Sequence, residues 1–167
     1  MSAVLTRPRS IASNESERTA GEARTSQPAP AIDGRPCSAG FAALLGAYRS
    51  SGGSTRGDDL ARLLKDRQRS DGVSLARLIE GGAAFGFEWR EALWIPMFQF
   101  DSRDLAVKSG VRQALVELRA DFDGWELAAW FASGNTWLGG HRPVDLMERD
   151  LPAVLGAARA DRFIAAG

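Results

Sequence analysis

Only a few residues in this chain have the types and spacing that chemistry requires. His141 is the one histidine, and it follows Gly139-Gly140. An imidazole can act as a base for a Ser or Cys nucleophile, but no motif brings such a nucleophile to it. A turn residue or a helix cap is the simpler expectation. Cys37, the one cysteine, lies in a Pro/Ser/Gly-rich stretch with no base nearby, so it reads as a solvated thiol. A single thiol offers neither an internal disulfide nor a metal spacing, which fits a reducing compartment. The pairs Asp101/Asp104 and Asp121/Asp123 sit where helix caps are expected. Gly81-Gly82 and Gly139-Gly140 have free N–H groups that suit an anion, but their positions suit helix stops better. The sequence has no phosphate-binding P-loop, dinucleotide fingerprint, zinc-protease motif or nucleophile elbow. Neither an enzyme nor a bound cofactor or metal is expected.

The tryptophans stand out more than any titratable group. Trp89, Trp94, Trp125, Trp130 and Trp137 all lie in the second half of the 167 residues. Large amphipathic rings serve either a small core or an interface. Trp94 and Trp130 are expected in the core. Trp125 and Trp137 lie at helix ends beside turns, where core and interface remain equally open.

The elements that position these residues follow from periodicity. Residues 1–40 are rich in Pro, Ser and Thr and poor in large apolar groups, and are expected to be a disordered tail. Phe41–Tyr48 is a short apolar helix that ends at a flexible Ser/Gly break. Asp58-Asp59 open a second helix, with Leu60, Leu63 and Leu64 on one face. After a turn at Ser70-Asp71-Gly72, Ser74 caps a third helix that stops at Gly81-Gly82. Residues 85–100 alternate and are aromatic, as in a β-hairpin. Pro96 makes its strand an edge strand, or one whose missing N–H faces outward. Ser109 is expected to cap the next helix, and Asp123 with Glu126 forms a capping box for another. Ser133-Gly134-Asn135 ends that helix. Pro143 fits a first helical turn, and Asp150 with Pro152 opens the last helix. The expected architecture is mainly α with one β-hairpin. A winged-helix-like segment over 41–100 precedes a small helical bundle over 101–167, and the two share a core.

Charge limits the partners. Lys+Arg and Asp+Glu both total 21, and neither half carries a strong excess. Strong non-specific attraction to nucleic acid is therefore excluded, although a local basic face is not. The helix–turn–helix–hairpin order nominates Arg67, Arg69, Ser74 and Arg77 as DNA contacts. No apolar run approaches the ~20 residues of a membrane span, and the start lacks a signal-peptide core. A cytoplasmic location is expected.

From about residue 105 the chain resembles the toxin-binding domain of the Xre/MbcA/ParS antitoxins. The resemblance rests on Trp125, Ala129-Trp130-Phe131, Asn135, Leu138-Gly139-Gly140, Arg142-Pro143-Val144-Asp145-Leu146, Asp150 and Val154-Leu155. It implies a protein that neutralises a partner toxin by covering its active site. Such toxins are commonly of the NAD-consuming RES class. It also implies a DNA operator bound by the N-terminal part, and it allows a homodimer. Carried over by position, the toxin-facing residues are Trp125, Asn135, Trp137, Leu138, Gly139 and Arg142. A tail from Arg162 adds Arg162 and Phe163, one charge and one apolar anchor that would plug an anionic-substrate pocket. The alternative is a winged-helix transcriptional regulator with no toxin partner.

Overall fold

The computed structural model describes residues 36–67 and 74–167. Seven helices and a small three-stranded antiparallel sheet follow one another in the order α1 (Ser38–Tyr48), β1 (Ser54–Arg56), α2 (Gly57–Arg67), α3 (Leu75–Glu80), β2 (Phe87–Trp89), β3 (Ala92–Pro96), α4 (Ser109–Leu118), α5 (Gly124–Ala132), α6 (Pro143–Leu146) and α7 (Leu151–Ala166). The chain is mainly α. Most of the expected tail, the turn at 70–72 and Arg69 lie outside the described residues. The end of that tail corrects the expected boundary. Residues 38–40 already belong to α1, and the Cys37 sulfur caps that helix by accepting from the Gly40 N–H.

The capping signals read from the sequence define several helix starts. Asp123 accepts from the Glu126 N–H while Glu126 accepts from the Asp123 N–H, which satisfies two first-turn donors of α5. Ser74 caps α3, Asp150 caps α7, and Pro143 stands in the first turn of α6. Ser109 does not cap α4. It is the first helical residue, and Lys108 occupies the cap without a side-chain bond.

The first half has the element order of a winged helix. β1 pairs with β3, and β3 pairs with β2, so the sheet order is β1-β3-β2. β1 falls just past the Ser/Gly stretch expected to be a loop. Three residues are too few to show alternation, and pairing with β3 is what holds them extended. Pro96 therefore ends a central strand, not an edge one. Met97 N–H bonds the Gly53 carbonyl, so Pro96 faces the β2 side, beyond the end of β2 at Phe87. The hairpin turns on Arg90 and Glu91, both with positive φ, and the Arg90 guanidinium lies 5.5 Å from the Trp89 ring centroid.

Two apolar clusters hold these elements. The smaller gathers Leu60, Leu64, Leu75, Ile95, Phe100 and Leu105 beneath α2 and α3. Leu63 departs from the expected face and stays largely exposed, because only Leu60 and Leu64 turn inward. The larger cluster joins Leu44 and Tyr48 of α1 to Phe85, Phe87 and Phe98 of the winged part and to α4, α5 and α7. The core thus runs across residue 100 without a break. Gln99, fully buried, ties the end of β3 to the segment before β2. Its amide accepts from the Phe85 N–H and donates to the Phe85 and Pro96 carbonyls.

Tyr48 is the one tyrosine and is fully buried. Its hydroxyl donates to the Ala128 carbonyl at 2.7 Å, tying α1 to α5. Burial pushes its pKa well above the usual value, with Arg142 opposing in part. The folded state therefore keeps the phenolic proton where the unfolded state, with a pKa of about 10, loses it. The contribution is intact below that pH and falls as pH rises, by about 1.4 kcal/mol per pH unit. Tyrosinate absorbance should stay flat above pH 10 and appear only with loss of helical circular dichroism. A reversible rise in the folded protein would refute this.

Candidate partner-binding surface

The segment from α5 to α7 is organised by one carboxylate. Asp161, on α7, accepts from Trp130 Nε1 at 2.7 Å and from Asn135 Nδ2 at 2.6 Å on one oxygen, and from Trp137 Nε1 at 3.0 Å on the other. Trp130 comes from α5, while Asn135 and Trp137 belong to the connection that follows it. Asn135 closes that connection with its remaining polar groups. Its Oδ1 accepts from the Trp137 N–H, its N–H donates to the His141 carbonyl, and its carbonyl accepts from the Gly140 N–H. Gly139 and Gly140, with φ of 62° and 84°, supply the left-handed turns that this closure needs. His141 is an exposed turn residue here, as expected from its neighbours.

Among the described residues, the exposed large apolar side chains are Leu63, Val116, Trp137, Phe163 and Ile164. Phe163 and Ile164 are 83% and 65% exposed on the last turns of α7, and Trp137, 60% exposed, is tied to Asp161 two and three residues before them. Val116, 71% exposed, precedes Glu117, whose carboxylate holds Arg159 and Arg162 of α7 at 2.9 and 2.7 Å.

No family model, curated protein or solved structure matches this chain. The surface must be read from its own geometry.

The residues nominated by position for toxin contact fall into two groups. Trp137, Arg162 and Phe163 are at the surface, with Asn135 partly so. Trp125 is 4% exposed and packs edge-on to Phe87, 5.6 Å away, so its ring joins α5 to the hairpin. Leu138 is buried in the larger cluster, and Gly139 serves the turn. Arg142 works as a clamp. It grips Asp145 through two nitrogens at 2.7 and 2.8 Å and donates to the Ala47 carbonyl at 2.9 Å, next to the end of α1. The expected tail from Arg162 is the end of α7, and Arg162 is paired with Glu117.

Sequence reasoning missed Asp161 and Glu117. Each makes its contacts 24 or more residues away along the chain, so no local pattern announces them. Asn135 was the one usable signal, as an amide just past a helix end beside two tryptophans.

The winged face offers less to a phosphate backbone. Ser74 and Arg77 are exposed on α3, but Ser74 is occupied as the cap of a helix of only six residues. The side chain of Arg67, like Arg69, lies outside the described residues. Between α2, α3 and the hairpin is a cleft of about 360 Å³, lined by Arg56, Asp58, Leu75, Ile79, Glu91 and Leu93 among others. Two acids against one cation disfavour phosphate contact there. Among the described residues, no three His, Cys, Asp or Glu side chains are grouped to hold a metal ion. Likewise, no helix among them is long and apolar enough to cross a membrane.

Proposed function

We propose that this protein acts by binding a partner protein through the surface formed by Trp137 and the end of α7, and that the partner is a toxin which it neutralises by covering the active site. The observation that carries the binding half is the exposed Trp137 ring, fixed by Asp161 of α7, with Phe163 and Ile164 exposed on the last turns of the same helix. A ring held in place loses little entropy on association, and tryptophan is prominent among interface hot spots. The toxin half rests on the resemblance to the Xre/MbcA/ParS toxin-binding domain, of which an RES-type enzyme is the implied target. The task needs no catalytic group of its own.

The test is co-purification of the tagged chain from its native cell, identification of any stoichiometric partner, and co-expression of that partner in a growth assay. Trp137→Ala should weaken the complex by ~2 kcal/mol, about thirtyfold, and restore toxicity. Equal affinity for the variant, or a partner harmless when expressed alone, would sink the proposal.

The order α1-β1-α2-α3-β2-β3 supports a second reading, a winged-helix regulator of transcription, with Ser74, Arg77, Arg67 and Arg69 as the contacts. The acids in the cleft weigh against it. It predicts salt-dependent duplex binding that Arg77→Ala reduces, and both roles can coexist in one chain.

A further inference from the structure

We propose that the Trp137 surface selects a protein partner that lays an arginine or lysine side chain across the indole ring, with Asp161 as the positioning residue behind that choice. This rests on the partner-binding reading above and adds the chemistry of the partner. The one polar atom of the Trp137 ring, Nε1, is already bonded to Asp161 at 3.0 Å. A partner therefore has the π-face to read and no free N–H to accept from. A carboxylate at the N–H edge also adds electron density to the indole, which strengthens its attraction for a cation.

The local charge points the same way. Asp161 receives three neutral donors, from Trp130, Asn135 and Trp137. The next cation along α7, Arg162, is turned to Glu117 together with Arg159. Asp161 thus sets a carboxylate beside an exposed ring, and among the described residues no cation pairs with it. A partner carboxylate would be repelled there, and a guanidinium or ammonium would be attracted. Ile164, one turn beyond Asp161 and exposed, offers apolar surface to the methylene stem of such a side chain.

The experiment is selection of a displayed random-peptide library on the immobilised full chain. Binders are then remeasured with each Arg or Lys replaced by norleucine. Enriched peptides should pair a cation with apolar neighbours, and the norleucine swap should weaken them roughly three- to tenfold. Asp161→Asn removes the charge and keeps the shape, so it should bring the preference for arginine over norleucine close to unity. A purely structural role of Asp161 would alter all peptides alike and leave that ratio unmoved. Because Asp161→Asn can also loosen the fold, Trp137→Leu is measured beside it. That exposed site tolerates the change, and the preference should vanish there too. Absence of enrichment, binders without cations, or a preference that survives Trp137→Leu would overturn the proposal. Toxin neutralisation does not enter this measurement, so its failure and that of the antitoxin reading are told apart.

Discussion

Phe131→Ala is expected to destabilise the protein by about 3–5 kcal/mol, a large part of the ~5–15 kcal/mol available to a domain of this size. Phe131 is fully buried in the last turn of α5. Its ring stacks on Phe85 at 5.6 Å, meets Phe98 at 5.0 Å and lies edge-on to Trp130 at 4.9 Å. Phe85 and Phe98 belong to the winged half, and Phe98 in turn stacks on Tyr48 of α1 at 5.6 Å. Truncation removes the ring that both halves share and leaves a cavity lined by aromatics that cannot collapse into it. Thermal unfolding should fall by roughly 10–20 °C and remain a single transition, because the larger cluster draws on both halves. Two separate transitions would show that the halves are independent.

Gly124→Ala should do damage of a comparable size by the opposite route. A Cβ at Gly124 would stand 2.1 Å from the carbonyl oxygen of Gly86, and that oxygen is backbone and cannot rotate away. The first turn of α5 must then move off β2, and Trp125 loses its edge contact with Phe87. The expected cost is about 3 kcal/mol or more. Urea unfolding would measure it, with Gly46→Ala as a control, because nothing lies within 4 Å of a Cβ there. A cost at Gly124 no larger than at Gly46 would mean that the close approach of α5 to the hairpin is not needed.

Both residues show where sequence reading succeeds. The run from Gly124 to Ala132 announces a buried helix through its capping box and its apolar face, and the structure places that helix at the centre. Helix starts at Ser74, Pro143 and Asp150 were legible for the same reason: a cap is decided by residues within one turn. What was not legible is what distant segments decide together. β1 exists because β3 pairs with it, and three residues carry no period of their own. Trp125 and Trp137 look alike in sequence, each beside a turn. Only the arrival of the hairpin on one and of Asp161 on the other makes the first a core residue and the second a surface one. Leu63 fits the apolar stripe of α2 by spacing, yet only Leu60 and Leu64 are buried in the smaller cluster.

The bond from Tyr48 to Ala128 spans 80 positions, and that from Arg142 to Ala47 spans 95. During synthesis α1 emerges early, and everything it packs against in α5 and α6 is still to be made. At about 5–20 residues per second, some 4–16 s separate Tyr48 from its acceptor. Over that interval α1 has only the aromatics of the hairpin segment, such as Trp89 and Phe98, to pack against. α7, translated after all of these, completes both the larger cluster and the carboxylate that holds Trp137. A chain that has reached Trp137 but not Asp161 lacks the carboxylate that fixes the indole, so the proposed docking surface forms only once α7 has been made.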